Sequence, residues 1–526
     1  MHLIAAMADK RPSVVVIGAG FGGLAAAIRL QARGFAVTVI DKRDQPGGRA
    51  YVYRDQGFAF DGGPTVITAP FIFDELWDLC GKKREDYVEF VPVDPFYRIR
   101  FDDGRVFDYT GDEERNCEQI RKFNPADVDG YRALLRESQR IYHVGFEKLG
   151  DIPFGRVSDM LKIVPKMIGL RSHLSVHSWV RSYVKDDALR TVLSFHPLLV
   201  GGNPFSTTSI YALIAYLEKK WGVWYAKGGT GKIVEGMVRL FTELGGRLEC
   251  STEAERIEID NGAVTGVTLK GGRKLAAEIV VANGDAPHIY KYLIDPKYRR
   301  KNTDARINKL RYSMSLFVAY FGTKRTYPDC AHHTILLGPR YRELLNDIFD
   351  KKVLAEDFSL YLHAPTRTDA SVAPPGHENF YVLSPVPHLG GGQDWDKLGK
   401  EYEQRIFAAL EKTYIPGLRD NLVTSRFITP QTFRDEMNSE LGAAFSIQPT
   451  LMQSAYMRFH NQSEDVRGLF IVGAGTHPGA GLPGVLSTAK VVDRIIGDRG
   501  GTGNPRDPIA GTHAALDRSL VRPLAG

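Results

Sequence analysis

Cysteine is scarce: Cys80, Cys117, Cys250 and Cys330 are the four in 526 residues, far apart and forming no C-x-x-C pair. Neither a disulfide framework nor a cysteine-held zinc site is indicated, and a reducing cytoplasm fits. Charge of one sign is thin as well. A formal +6 spread over the whole chain is too dilute to imply a nucleic-acid partner. Long hydrophobic runs are also missing. The longest stretch free of Asp, Glu, Lys and Arg, Thr191 to Leu217, is broken by His196, Pro197, Asn203 and Pro204, so no membrane-spanning helix is expected. The opening MHLIAAMADKRP has neither the charged start nor the long apolar stretch of a secretory signal, and export is not expected. There is no internal repeat.

Enough apolar material is present to fill several cores. Hydrophobic residues make up 43% and charged residues 25%, near the soluble average, and a prior of roughly 150 residues per domain suggests two to four domains. A β-branched run, Ser13 to Ile17, leads through glycines into an alanine-rich helix, Leu24 to Arg33, and then a second β-branched run, Val37 to Ile40. Later, Ala254 to Ile259, Val264 to Leu269 and Glu278 to Val281 alternate like strands of a small antiparallel meander, with turns at Asn261-Gly262 and Gly271-Gly272. Between Glu113 and Leu217 the spacing turns helical, as in Val128 to Ile141 and Asp186 to Leu193. Pro374 to Gly392 reads as loop around one strand, Phe380 to Leu383, and the tail after Gly500 as mobile.

The chemistry enters with Gly18, Gly20 and Gly23, which spell G-x-G-x-x-G between the first strand and helix. An uncrowded backbone there lets a pyrophosphate meet the helix N-terminus. Asp41 closes the second strand, where a carboxylate accepts hydrogen bonds from the adenosine ribose; it would repel a 2′-phosphate, which disfavours NADP. FAD and NAD both remain open on this motif alone. Gly47-Gly48-Arg49 follows, with an arginine able to reach the pyrophosphate, and the combination resembles the extended signature of the FAD-containing amine oxidase and glutathione-reductase superfamily. By contrast Gly228-Gly229-Thr230-Gly231-Lys232 is not a phosphate loop, because Ala226 and Ile233 stand where the pattern needs Gly and Ser or Thr. It reads as a glycine turn opening a helix. Near the end, a strand from Leu469 to Val472 runs into a glycine-rich loop and a helix starting near Gly484, whose N-terminal amides suit an electron-rich group such as a reduced flavin.

From Val14 to about Ile496 the sequence resembles the bacterial phytoene desaturases, carried by GGRAYVYRDQGFAFDGGPTVIT (47–68), SFHPLLVGGNPFSTTSIYALI (194–214), WGVWYAKGGTG (221–231), AEDFSLYLHAP (355–365) and VGAGTHPGAGLPGVLSTAK (472–490). The resemblance implies an α/β protein with a Rossmann-like FAD-binding domain assembled from 1–85, 226–300 and 441–499. A sheet-containing substrate domain would come from 86–112 and 301–440, a helical membrane-contacting lid from 113–225, and a tail from 500–526. It places Gly18, Gly20, Gly23, Asp41 and Arg49 on FAD, Ala254 at the adenine, and Gly473, Gly484, Val485 and Leu486 beside the isoalloxazine ring.

The implied substrates are phytoene and partly desaturated carotenoids. Hydrocarbons offer no polar handle, so recognition rests on apolar burial, about 25 cal/mol per Å². Each desaturation is expected to send a hydride from an allylic carbon to flavin N5, with a proton lost from the resulting cation; oxygen or a membrane quinone would reoxidise the FAD. The number of double bonds introduced and the oligomeric state stay open. Asp159, paired with Lys162 one helical turn on, is the expected base, and His477 is expected to line the active site. Metal binding by the adjacent His332 and His333 is not expected. Met160, Leu161, Val164, Met167 and Ile168 share a helix face rimmed by Lys162, Lys166 and Arg171, suiting peripheral contact with the inner membrane, with Pro165 able to divide the helix in two. A flavin amine oxidase and a non-catalytic lipid escort are the competing readings of the same fold.

Overall fold

A computed structural model describes residues 11–497. The expectations for the opening residues and for the tail after Gly500 lie outside the described residues. The first strand, β1 (Ser13–Ile17), the helix α1 (Phe21–Ala32) and the second strand, β2 (Ala36–Ile40), form a parallel strand-helix-strand unit. They belong to a five-stranded parallel sheet in the order Arg247–Glu249, β2, β1, Ile279–Asn283, Leu469–Val472. Four separated segments of chain therefore build one sheet. Its strands Ser13–Ile17, Ile279–Asn283 and Leu469–Val472 are buried on both faces, which is why they read as continuous apolar runs instead of alternating. The alanines of α1 let two further helices, Thr230–Glu243 and Leu482–Gly497, pack closely on it, and Arg29 ties the group to Glu75 at 2.8 Å.

One strand of the expected meander belongs elsewhere. The antiparallel trio is Ala254–Asp260, Ala263–Leu269 and Lys274–Ala276, whereas Ile279–Asn283 leaves it to become the strand beside β1. Its sequence, IVVAN, is doubly buried, the mark of a parallel strand in the middle of a sheet.

A second sheet of seven strands runs in the order Leu422–Ile428, Ser315–Thr323, Glu378–Val386, Leu360–His363, His333–Leu336, Tyr97–Arg100, Val106–Tyr109. The strand expected at Phe380 to Leu383 thus extends over nine residues, Glu378–Val386, paired on both sides. Over the edge formed by Tyr97–Arg100 and Val106–Tyr109 lie the helices Glu113–Phe123, Val128–Tyr142, Val176–Arg181, Asp187–Ser194 and Leu213–Trp221, and a further helix, Val157–Gly169, packs beside Ala455–Met457. Pro165 does not divide its helix, which is continuous from Val157 to Gly169. Among the described residues no helix is long and apolar enough to cross a membrane.

Candidate cofactor and substrate site

A single cavity of about 590 Å³ begins at the glycine turn after β1 and continues between the seven-stranded sheet and the helices. Its first half is built by backbone. Gly18 has a positive φ of 95°, and a side chain there would collide with the Asn283 carbonyl. Gly20 is extended and opens onto the cavity, while Gly23 lies behind, where any Cβ would strike the Gly18 carbonyl and push α1 off the sheet. Gly47 donates to the Ala19 carbonyl at 2.8 Å, so the second glycine motif is bonded to the first.

The Asp41 carboxylate lines the cavity and accepts from the Ala19 N–H at 2.7 Å and the Arg43 N–H at 2.9 Å. Burial raises its pKa, and these two bonds oppose the rise. Thr252, Glu253 and Ala254 follow it along the same wall. On the other side Arg49 gives one N–H to Ser439 Oγ at 3.0 Å and faces the buried Asp285. Arg49 Nε and Asp285 Oδ1 have no hydrogen-bond partner in the protein, and burial lifts Asp285 to about 6. Gly22 brings the start of α1 against Val485 and the Gly473 amide, so the flavin-side loop meets the fingerprint directly. Gly473, Gly484 and Val485 line the cavity; Leu486 points into the core behind.

These residues fit a dinucleotide. The floor has no side chains where a pyrophosphate would lie, a carboxylate stands at the end of β2, and two buried polar atoms await partners.

The second half of the cavity is apolar, walled by Phe146, Leu149, Phe154, Leu198, Leu316 and Phe445. His477 lines it, donating from Nε2 to the Leu149 carbonyl at 3.1 Å, while Nδ1 is buried without a partner. Burial pulls this histidine down to about 4, so it is neutral.

Asp159 and Lys162 are placed differently from the expectation. No ion pair joins them; Asp159 Oδ2 accepts the Arg156 N–H at 3.2 Å and caps its own helix, and Lys162 is exposed. Met160, Ile163 and Met167 are the residues of that helix on the cavity wall. The i, i+3 spacing was sound as helix geometry, but the helix turns its apolar face inward, and a first-turn carboxylate is satisfied by the free N–H groups beside it.

Three functional candidates escaped the sequence. Asn283 fills the space between Gly18, Gly20, Gly22 and Gly23 and donates to the Gly18 carbonyl at 3.3 Å. Asp285 lies two residues on. Both follow the strand misread as meander, so their position at the carboxyl end of a parallel strand was hidden. Glu218 is the third: fully buried on the cavity wall, it accepts from Tyr97 Oη at 2.7 Å and faces His196 Nε2 at 3.2 Å. Its place in the run LEKK resembled any solvated helix charge.

This sheet, fingerprint and flavin-side loop define a dinucleotide-binding flavoprotein oxidoreductase. The family model of the flavin containing amine oxidoreductases matches residues 21–493. A phytoene desaturase (lycopene-forming) of Paracoccus sp. is 50% identical over 92% of this chain and 97% of its own length. A phytoene desaturase (neurosporene-forming) of Rhodobacter capsulatus is 45% identical over 92% and 94%. In fold, an engineered putrescine oxidase superposes with a TM-score of 0.63 at 14% identity, covering 93% of this chain and 99% of that one. The chain belongs to the flavin-containing amine oxidoreductase family, within its phytoene desaturase branch. Its cofactor is FAD.

Proposed function

We propose that this protein desaturates phytoene in successive two-electron steps to neurosporene or lycopene. The observation that carries the reading is the continuity of one cavity from a glycine-built dinucleotide floor into a long apolar chamber. An amine oxidase needs a polar anchor for its substrate, and an escort has no use for an intact flavin-side loop; the apolar chamber and the loop at Gly473 to Val485 argue against each in turn.

Gly18, Gly20 and Arg49 would hold the pyrophosphate, Asp41 the ribose hydroxyls, Ala254 the adenine, and Gly473, Gly484 and Val485 the ring, with Gly23 and Leu486 supporting from behind. When bound, FAD supplies a two-electron oxidant that accepts hydride. The protein's residues orient the hydrocarbon and exclude water from the cation that hydride loss creates.

The route of supply is a peripheral membrane contact. The helix Val157–Gly169 presents Leu161 and Ile168 outward at 65% and 64% exposure, with Val157 beside them, and the neighbouring turns add Met452 and Met457. Arg156, Lys162 and Lys166 rim this patch. A second face of the same helix, with Met160, Ile163 and Met167, lines the cavity. An apolar patch with a cationic margin suits an anionic bilayer, and here it backs directly onto the substrate chamber. Oxygen or a membrane quinone would accept the electrons. Incubating the FAD-loaded protein with phytoene in liposomes and identifying products chromatographically tests the reading: coloured carotenoids are expected, and unchanged phytoene would refute it.

A further inference from the structure

Desaturation releases one proton for every hydride, inside a chamber with almost no polar groups. A catalyst that repeats the step must also pass that proton to solvent. Asp41 and Asp285 stand at the cofactor end of the cavity, and Glu218 already has both carboxylate oxygens engaged, by Tyr97 and by His196.

The seven-stranded sheet offers a continuous alternative. Register pairs His333 with His363 and His363 with Tyr381, and Tyr361 lies two residues from His363. Because side chains alternate along a strand, these four residues share the sheet face turned to the cavity. Tyr361, Tyr381 and Thr65 line the chamber. Thr65 Oγ1 lies 2.6 Å from Tyr381 Oη and 3.3 Å from Tyr361 Oη, and Tyr361 Oη lies 2.6 Å from His333 Nδ1. His363 Nδ1 is next, at 3.4 Å from His333 Nδ1. The rings of His332, His333 and His363 each present a nitrogen within 4.8 Å of the other two, a spacing that a single water spans. His332 Nδ1 then meets Thr368 Oγ1 at 2.6 Å, and Thr368 is exposed to solvent.

Packing alone does not explain this cluster. All three imidazoles are buried, and the Nε2 atoms of His332, His333 and His363 have no hydrogen-bond partner in the protein. Buried polar atoms are normally satisfied, and three orphans in one cluster point to a function. Burial also holds all three histidines neutral, with His332 lowered to about 3, so each can pass a proton on without keeping it.

We infer that Tyr361, His333, His363 and His332 form a proton exit from the substrate chamber to solvent at Thr368. The inference rests on the desaturase reading above. In the step, the C–H bond next to the allylic cation breaks and its electron pair becomes the new C=C, neutralising the cation. The proton goes to Tyr361 Oη as its own proton moves to His333 Nδ1, and His333 then gives up the proton on its other nitrogen, Nε2, to a bridging water; His363 and His332 each take a proton at one ring nitrogen and release one from the other, and water at Thr368 takes it.

The test uses the FAD-loaded protein in phytoene-containing liposomes, with turnover measured in H2O and D2O. The wild type is expected to turn over more slowly in D2O, because exchangeable protons move in the step. Tyr361→Phe keeps the ring and is expected to retain FAD while losing on the order of 10²-fold in rate, together with the solvent isotope effect. A purely structural role would change FAD content and leave the isotope effect alone. If Tyr361→Phe does not hold FAD, His332→Ala decides at the solvent end, where added imidazole is expected to restore the lost rate and failure to restore it overturns the relay. Wild-type rate and isotope effect in Tyr361→Phe overturn it as well. So does loss of the isotope effect in Glu218→Gln but not in Tyr361→Phe, or a stoichiometric metal ion whose removal by chelator abolishes turnover. A wild-type protein that forms no coloured carotenoid fails at the earlier step, and takes the relay down with the desaturase reading.

Discussion

At Gly20 the backbone is extended, with φ at −76°, so a side chain adds little backbone strain and acts mainly on the space in front of it. A Cβ there would come within 2.9 Å of the Asn283 side-chain amide, and a longer side chain would extend over the floor of the cavity. Gly20→Leu is therefore expected to fold and to lose its flavin, at least 10-fold in the flavin-to-protein ratio by absorbance after gel filtration. Full occupancy in the folded variant would remove Gly20 from the cofactor site. The glycines, Asp41 and Arg49 were legible in the sequence because each sits at a fixed offset within one contiguous strand-turn-helix-strand unit. Asn283, Asp285 and Glu218 were not, since they reach the same cavity from segments more than 150 residues away, and nothing local distinguishes them from surface residues.

Elements placed the predictable and the unpredictable side by side. The helix Thr230–Glu243 was legible as a glycine turn leading into a helix, but what holds its N-terminus was not: Asp61, from a distant hairpin, accepts the Thr230 N–H at 2.8 Å. Burial raises Asp61 from 3.8 to about 6. Since the folded value lies above the unfolded one, the carboxyl's contribution to stability is full below pH 3.8 and is lost as pH rises through 6, about 3 kcal/mol in all. Asp61→Asn keeps an acceptor for Thr230 and removes the charge. In denaturant titrations between pH 4 and pH 6.5 the wild type is expected to lose about 2 kcal/mol more stability than the variant, and identical pH dependence would contradict the assignment.

The helix Val157–Gly169 makes the complementary point. Its periodicity correctly announced an amphipathic element, but spacing alone could not say that the Met160 and Met167 side faces a chamber and the Leu161 and Ile168 side faces out. The membrane test thus belongs on Val157, Leu161 and Ile168. Replacing all three with Asp is expected to cut flotation with anionic liposomes by 10-fold or more and to lower turnover of liposomal phytoene, while FAD content stays unchanged. Undiminished flotation would move the entrance elsewhere.

Across the whole molecule the sheets are legible to different degrees. The parallel sheet announced itself through apolar, β-branched runs, except for the strand that follows the meander without a break and the short edge strand Arg247–Glu249, which has no such run. The mixed seven-stranded sheet draws on strands from Tyr97 to Ile428, and its functional face exists only once register sets His333 opposite His363 and Tyr381 opposite His363. Two adjacent histidines in a sequence carry no such information. What joins the parts is the cavity, which makes one claim central: electrons pass from a hydrocarbon in the apolar half to a flavin in the glycine-lined half. Mixing the FAD-loaded protein anaerobically with liposomal phytoene, and following flavin absorbance together with carotenoid colour, tests it most directly. The account predicts that the flavin bleaches as colour appears, one new double bond per flavin reduced, and recovers when oxygen or a quinone is admitted. A flavin that stays oxidised in the presence of phytoene but bleaches with an amine would contradict it.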